Sequence, residues 1–151
     1  MFKKSFKEDM MRLAMEEASK AIESGNRPFG AVLVSKTGEV IAKAHNTVNS
    51  SSDITAHAEI NLLRNVCKEL GKLDLSDYVI FCNAESCSMC MTAKIKAKID
   101  FVYYGAPMGE YANPYIPPSE VASKSKNPIK IEVGILKSEC IKQINGNPNR
   151  N

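Results

Sequence analysis

Two short stretches of this chain carry residues whose types and spacing can do chemistry: His57-Ala58-Glu59 and Glu85-Ser86-Cys87-Ser88-Met89-Cys90. One histidine and two cysteines offer three ligands to zinc, one short of the four that close a structural site. The open position takes a water. Glu59 is too close to His57 in sequence to be read as a fourth ligand, and it is placed to handle that water's protons. Cys87 and Cys90, three apart at a helix start, would put both sulfurs on one face. Unpaired N–H groups and the helix dipole favour thiolates there. His57 is expected in the first turn of its own helix, so two helix N-termini would converge on the ion. Taken alone, Cys-x-x-Cys also reads as a redox pair or half of a zinc ribbon. No second Cys-x-x-Cys supports a ribbon, and a redox pair leaves His-x-Glu unexplained. His57 alone would be a core or capping histidine, and Glu59 alone a carboxylate favoured by the helix dipole. Together the motifs favour a hydrolytic zinc site. The other histidine, His45, reads as structural or as a support behind the ligands.

The rest of the chain must position these groups. Residues 7–24 repeat apolar positions at helical spacing and stop at Gly25. Phe29–Val34 reads as a buried strand, residues 36–39 as a hairpin turn and Val40–His45 as the returning strand. A polar loop follows over 46–53. Thr55 is expected to cap a helix over 56–70, with Gly71 past its end. Tyr78–Cys82 reads as a central strand, 87–97 as a helix and 101–104 as a strand. Residues 107–118 are proline-rich and read as a loop. A strand over 129–135, a short helix over 139–144 and a frayed tail over 146–151 complete the chain. The order implies an α/β fold with a mixed sheet packed between helices, as one domain over 1–151.

Bulk properties narrow the setting. Of 151 residues, 44% are hydrophobic and 25% charged, as in a soluble globular protein, and no apolar run is long enough to span a membrane. Lys7, Glu8, Asp9 and Arg12 interrupt the region after the basic start, against a signal peptide. Five cysteines without an export signal fit a reducing, cytoplasmic setting. Cys67, Cys82 and Cys140 read as small core residues. A net charge of +3 permits nucleic-acid contact without arguing for it.

His-x-Glu followed by Cys-x-x-Cys resembles the cytidine-deaminase-like superfamily of zinc-dependent nucleobase and nucleoside deaminases. One departure stands out: Ser86 replaces the usual proline. The resemblance runs from about Phe6 to Ile144. Pro28-Phe29-Gly30-Ala31-Val32 is similar to the guanine- and nucleoside-deaminase branches. Asp53-Ile54-Thr55-Ala56-His57-Ala58-Glu59 resembles a stretch shared by guanine deaminases and tRNA adenosine deaminases, with Ile54 in place of proline. Residues 131–136 and 139–140 resemble the last strand and helix of the tRNA enzymes.

The resemblance implies a three-layer α/β/α fold, one zinc per chain on His57, Cys87 and Cys90, and Glu59 as the catalytic group. Zinc lowers the pKa of its water toward roughly 7, and Glu59 takes the proton. The hydroxide attacks a ring carbon bearing an amine, and Glu59 hands protons on until ammonia leaves. The implied substrate contacts are Phe29, Asn46, Ala58, Glu85 and Ser86. Phe29 also reads as core packing and Asn46 as a turn-former. Replacing proline with Ser86 is expected to alter local order rather than abolish catalysis. Relatives pair through the helices bearing the ligands, so a homodimer is expected.

The expected substrate is a free purine base or nucleoside, guanine first. Adenosine in tRNA is second and cytosine or cytidine third. A catalytically idle, zinc-stabilised binding domain is a different class, and an intact Glu59 speaks against it. The tRNA enzymes carry a basic C-terminal helix, whereas here Lys137, Lys142 and Arg150 make a weak footprint. Glu110, Tyr111 and Tyr115 would cap a small base, although Glu110 also reads as a solvated carboxylate.

Overall fold

The structure is a computed structural model and describes residues 1–112 and 116–147. Tyr115, Arg150 and most of the expected tail lie outside the described residues. Five strands form one sheet in the order β2-β1-β3-β4-β5: β1 Gly30–Ser35, β2 Val40–His45, β3 Tyr78–Ala84, β4 Phe101–Ala106 and β5 Lys130–Val133. β1 runs antiparallel to β2 and β3, while β3, β4 and β5 are parallel.

Strand alternation explains the layers. Ala31, Leu33, Ile80, Cys82, Val102 and Tyr104 face one side and pack with Ala58, Leu62, Val66 and Met91. These come from α3 Ala58–Leu70 and α4 Ser88–Lys96. Val32, Val34, Val79, Phe81 and Tyr103 face the other side and meet Met11, Ala14, Cys140 and Ile144. Those belong to α1 Lys4–Glu23 and α6 Lys137–Asn145. Period-two alternation with both faces apolar is what a sheet covered on two sides requires. The three-layer α/β/α arrangement is therefore the one expected. Among the described residues, no helix is long and apolar enough to cross a membrane.

Four local expectations are corrected. The 46–53 loop contains a one-turn helix, α2 Val48–Ser51. Thr55 does not cap α3. Its hydroxyl and N–H both bond Asp53 Oδ1, at 2.7 and 2.8 Å, and the cap position falls to His57. Residues 107–118 hold a 3-10 turn over Met108–Glu110, and Pro118 opens α5 Pro118–Lys124. Proline at the first helical position lacks an N–H that would have gone unpaired there, so it starts this helix rather than breaking it. The last strand is shorter than expected because Gly134, at φ +103°, turns the chain into α6.

Gly30 shows how tightly α1 lies on the sheet. A Cβ there would sit 2.1 Å from the Ala14 carbonyl oxygen and 2.6 Å from the Ala18 nitrogen. Both are backbone atoms of a helix and cannot swing aside. Gly30→Ala is expected to destabilise the fold by about 3 kcal/mol, read from urea unfolding. An unchanged midpoint would show that α1 can lift from β1 without cost.

Candidate zinc centre

Two helices start at the same place. His57 precedes α3 and Cys87 precedes α4, each in an extended conformation with no side-chain capping bond. Their side chains turn toward each other instead. His57 Nδ1 lies 3.5 Å from Cys87 Sγ and 3.4 Å from Cys90 Sγ. The three donor atoms all fall within 4.8 Å of one another. Tetrahedral zinc, with sulfur at about 2.3 Å and nitrogen at about 2.0 Å, separates such donors by about 3.5 Å. The residues present fit the ion.

The loops fix this geometry from both sides. Asp53 organises the turn before His57, and Thr47 N–H bonds the Ala56 carbonyl at 3.0 Å. Asn61, one turn into α3, donates to the His45 carbonyl and to Thr47 Oγ1, both at 2.9 Å. On the other side, Glu85 N–H bonds the Ala106 carbonyl at 2.8 Å, pinning the end of β3 to β4. Ile54, in the position of the usual proline, is 69% exposed, and Asp53 does the turn-making. His45 Nδ1–H donates to the Glu17 carboxylate at 3.0 Å, a structural contact to α1.

Electrostatics favour a thiolate at Cys87, while Cys90, donating to Cys87 and buried beside it, is held as the thiol. A hydrogen bond from the Cys90 thiol, opposed by burial and reinforced by His57, lowers the Cys87 pKa to about 4. Its bond to Cys87 raises that of His57. Glu59 is 6% exposed. Burial pushes its carboxyl up, but the Lys94 ammonium, the Ser86 hydroxyl and His57 together hold it below the ordinary glutamate value.

Of the expected substrate contacts, Ser86 meets Glu59 directly, donating to its Oε2. The Ala58 methyl belongs to the core, leaving only its N–H at the helix start for a ligand. Glu85 is turned to the 3-10 turn, its carboxylate accepting from Met108 N–H at 2.8 Å. Asn46 and Phe29 are adjacent, the Asn46 N–H bonding the Phe29 carbonyl at 3.0 Å. Asn46 Oδ1 accepts from Val48 N–H, as a turn-former would, while its Nδ2 is buried with no partner among the described residues. Phe29 is half-buried, and its ring meets Tyr111 with centroids 5.6 Å apart. Tyr111 OH donates to the Glu85 carbonyl. Burial, with the charges of Glu59, Glu85 and Cys87 close by, raises the Tyr111 phenol far above its usual range. Glu110 pairs with Lys137 at 3.5 Å on the surface, away from any ligand role.

Three groups at the site were not singled out from the sequence. Arg27 is close enough to oppose protonation of His57, and its Nε is buried without a partner among the described residues. Lys94 and Tyr104 reach Ser86 from α4 and β4. The signal for Lys94 was its spacing, one turn beyond Cys90. Of the three cysteines expected in the core, Cys82 and Cys140 are buried and Cys67 is only half so.

Comparison with known proteins agrees with this geometry. Residues 4–106 match the family described as cytidine and deoxycytidylate deaminase zinc-binding region. The chain is 38% identical over 100 residues to a tRNA-specific adenosine deaminase of Aquifex aeolicus, covering 66% of each chain. It is 39% identical over 100 residues to a guanine deaminase of Bacillus subtilis, covering 66% of this chain and 64% of that one. These matches span just under two thirds of either relative's length. A structure from a study of A-to-I editing by tRNA:A34 deaminases superposes with a TM-score of 0.79 at 33% identity, covering 89% of this chain and 98% of that one. With the His57, Cys87 and Cys90 donors at zinc-ligand spacing and the matched region spanning both motifs, the chain belongs to the cytidine and deoxycytidylate deaminase family of zinc-dependent hydrolases.

Proposed function

We propose that the protein is a hydrolytic purine deaminase, acting on guanine or a related small purine. His57, Cys87 and Cys90 hold the zinc, and Glu59 moves the protons. The observation that carries the reading is the buried Glu59 carboxylate placed beside the three-donor cluster. Zinc bound there supplies a water acidified toward a pKa of about 7. Glu59 takes a proton at that position and delivers it to the ring nitrogen. A second transfer makes the exocyclic amine leave as ammonia, while the water's oxygen stays on the ring carbon. Phe29 offers a face for the ring, and Asn46 Nδ2, without a partner among the described residues, offers a donor to its edge. Tyr111, anchored to Glu85 and resting on Phe29, closes the pocket against water. That aromatic closure supports a small substrate, as does a final helix whose Lys137 is already paired with Glu110.

A second reading is adenosine in tRNA. It is favoured by the likeness to the tRNA:A34 deaminase structure, which runs along nearly the whole of that chain. Ammonia release from guanine, guanosine, adenosine, cytidine and an anticodon stem-loop bearing adenosine separates the two. Guanine turnover is expected. Deamination of the stem-loop alone, with a rate falling steeply with salt, would establish the second reading instead. Phe29→Ala is expected to raise KM for guanine about tenfold through lost stacking. An unchanged KM would make Phe29 a core residue only.

The same reading places a second copy of the chain on the outer face of α3 and α4. An apolar groove lined by Ile60, Leu63, Cys67, Leu73, Ala93 and Ala97 lies there, and Leu73 is 77% exposed. Sedimentation at micromolar concentration tests it, and a clean monomer would refute it. Five unpaired cysteines suit a reducing cytoplasm.

A further inference from the structure

Among the described residues, Lys94 is the only lysine or arginine that is buried, and it is wholly so. Burying an ammonium costs several kcal/mol even when it is paired, and an apolar side chain of similar size would commonly be more stable. Stability alone therefore gives no reason for a lysine here. Its contacts do. Lys94 Nζ donates to Ser86 Oγ, to Tyr104 OH at 3.1 Å and to Glu59 Oε2 at 3.3 Å. Cys82 Sγ lies 3.9 Å away, and the ammonium stands 4.9 Å from the centre of the Tyr104 ring. Tyr104 OH also lies 2.9 Å from Ser86 Oγ.

The donor inventory fixes the direction of every proton. An ammonium has three donors and no acceptor, so Lys94 must donate to Ser86, Tyr104 and Glu59. Tyr104, accepting from Lys94, sends its own proton to Ser86. Both lone pairs of the Ser86 hydroxyl are then occupied, and its proton goes to the one acceptor left, Glu59 Oε2. The carboxylate thus receives two bonds on Oε2, one from Ser86 and one from Lys94. No side-chain donor reaches Oε1 among the described residues. A proline at position 86 could take part in none of this.

We propose that Lys94 and Tyr104, acting through Ser86, form a positioning unit that grips Oε2 of Glu59 and leaves Oε1 as the oxygen that carries protons. The proposal rests on Glu59 being the proton carrier. It gives the serine that replaces the family's proline a purpose: Ser86 joins a buried charge to the reacting carboxylate. It also alters the expectation that losing the proline affects local order only. Ser86 and Lys94 are positioning residues, since both act by bonding Oε2 of Glu59.

The test uses the zinc-loaded protein and variants Ser86→Thr, Ser86→Ala, Lys94→Met and Glu59→Gln. Ammonia release from guanine and from the adenosine stem-loop is measured, with zinc content and thermal melting for each variant. Ser86→Thr keeps the hydroxyl and is expected to keep kcat within about threefold, whereas Ser86→Ala and Lys94→Met lose about 100-fold, the cost of misplacing a reacting group by about 1 Å. KM should stay within about threefold, because Ser86 acts on Glu59; a raised KM with kcat unchanged would make Ser86 the substrate contact that the resemblance implies and overturn the inference. A Ser86→Ala, Lys94→Met double variant should be no slower than the slower single one, because the two side chains act as a unit. Wild-type turnover in Ser86→Ala and Lys94→Met, with Glu59→Gln inactive, overturns the inference and leaves the network a structural one. An active Glu59→Gln overturns the reading beneath it. Should Lys94→Met fail to fold, Ser86→Ala and Tyr104→Phe decide, because each removes one hydroxyl and leaves the ion pair in place.

Discussion

Glu59→Gln is expected to cut turnover by at least about 1,000-fold while the protein still binds one zinc and melts cooperatively. Glutamine has the volume of glutamate and can keep a bond from Ser86, so the core around α3 stays filled. It cannot take a proton and give it back. The proposed reaction needs two transfers through the same carboxylate, and the described residues place no second free base against the three donors. Lys94 is protonated and donating. Tyr111 has its phenol held neutral and its hydroxyl spent on the Glu85 carbonyl. With no substitute, the loss is not shared out. Steady-state ammonia release on the substrate the wild type accepts, with metal analysis on the same sample, is the measurement. More than about a tenth of wild-type turnover would remove Glu59 from the role assigned to it.

The second large effect concerns the metal. Cys90→Ser is expected to lower bound zinc from one per chain to near none, and turnover with it. The consequence reaches beyond chemistry, because the ligands come from two helices 30 residues apart in sequence, with β3 between them. An ion that binds only the folded chain stabilises it by about 4 kcal/mol when present a thousandfold above its dissociation constant. For a chain of this size that corresponds to a melting shift of about 10 °C. Stripping the wild type with a chelator should reproduce the shift, and returning zinc should reverse it. A melting temperature indifferent to zinc would mean that α3 and α4 are held together by their packing alone.

The metal half of the site was legible because its geometry is local. His57 and Glu59 are two residues apart, and Cys87 and Cys90 share one helical turn, so spacing alone carries the information. The sheet was legible for a similar reason: β1 and β3 are apolar on both faces, which only a doubly covered strand needs. What escaped was set at a distance. Lys94 lies on a helix beside Lys96 and reads as solvated until β3 and β4 enclose it. Tyr104 reads as one more aromatic in a strand, and its partners come from positions 86 and 94. Pro117 and Pro118 read as loop because the start of a helix and its interruption use the same residue. Thr55 looked like a cap because the sequence does not show that His57 would turn its ring to the cysteines.

Asn83, on β3, ties together parts of the chain made at very different times. Its side chain accepts from Gly30 N–H at 3.0 Å and donates to the Pro28 carbonyl at 2.9 Å and to Gln143 Oε1 at 3.1 Å. Gln143 in turn donates to the Met15 carbonyl at 2.8 Å. During synthesis, both cysteines leave the ribosome some 50 residues before Gln143 does, at about 5–20 residues per second. For those seconds a nascent chain owns a complete metal-binding set, while the strand that begins at Gly30 still lacks its last anchor. Metal capture can therefore precede closure of the fold, because α6, made well after the cysteines, is what locks the first helix to the sheet.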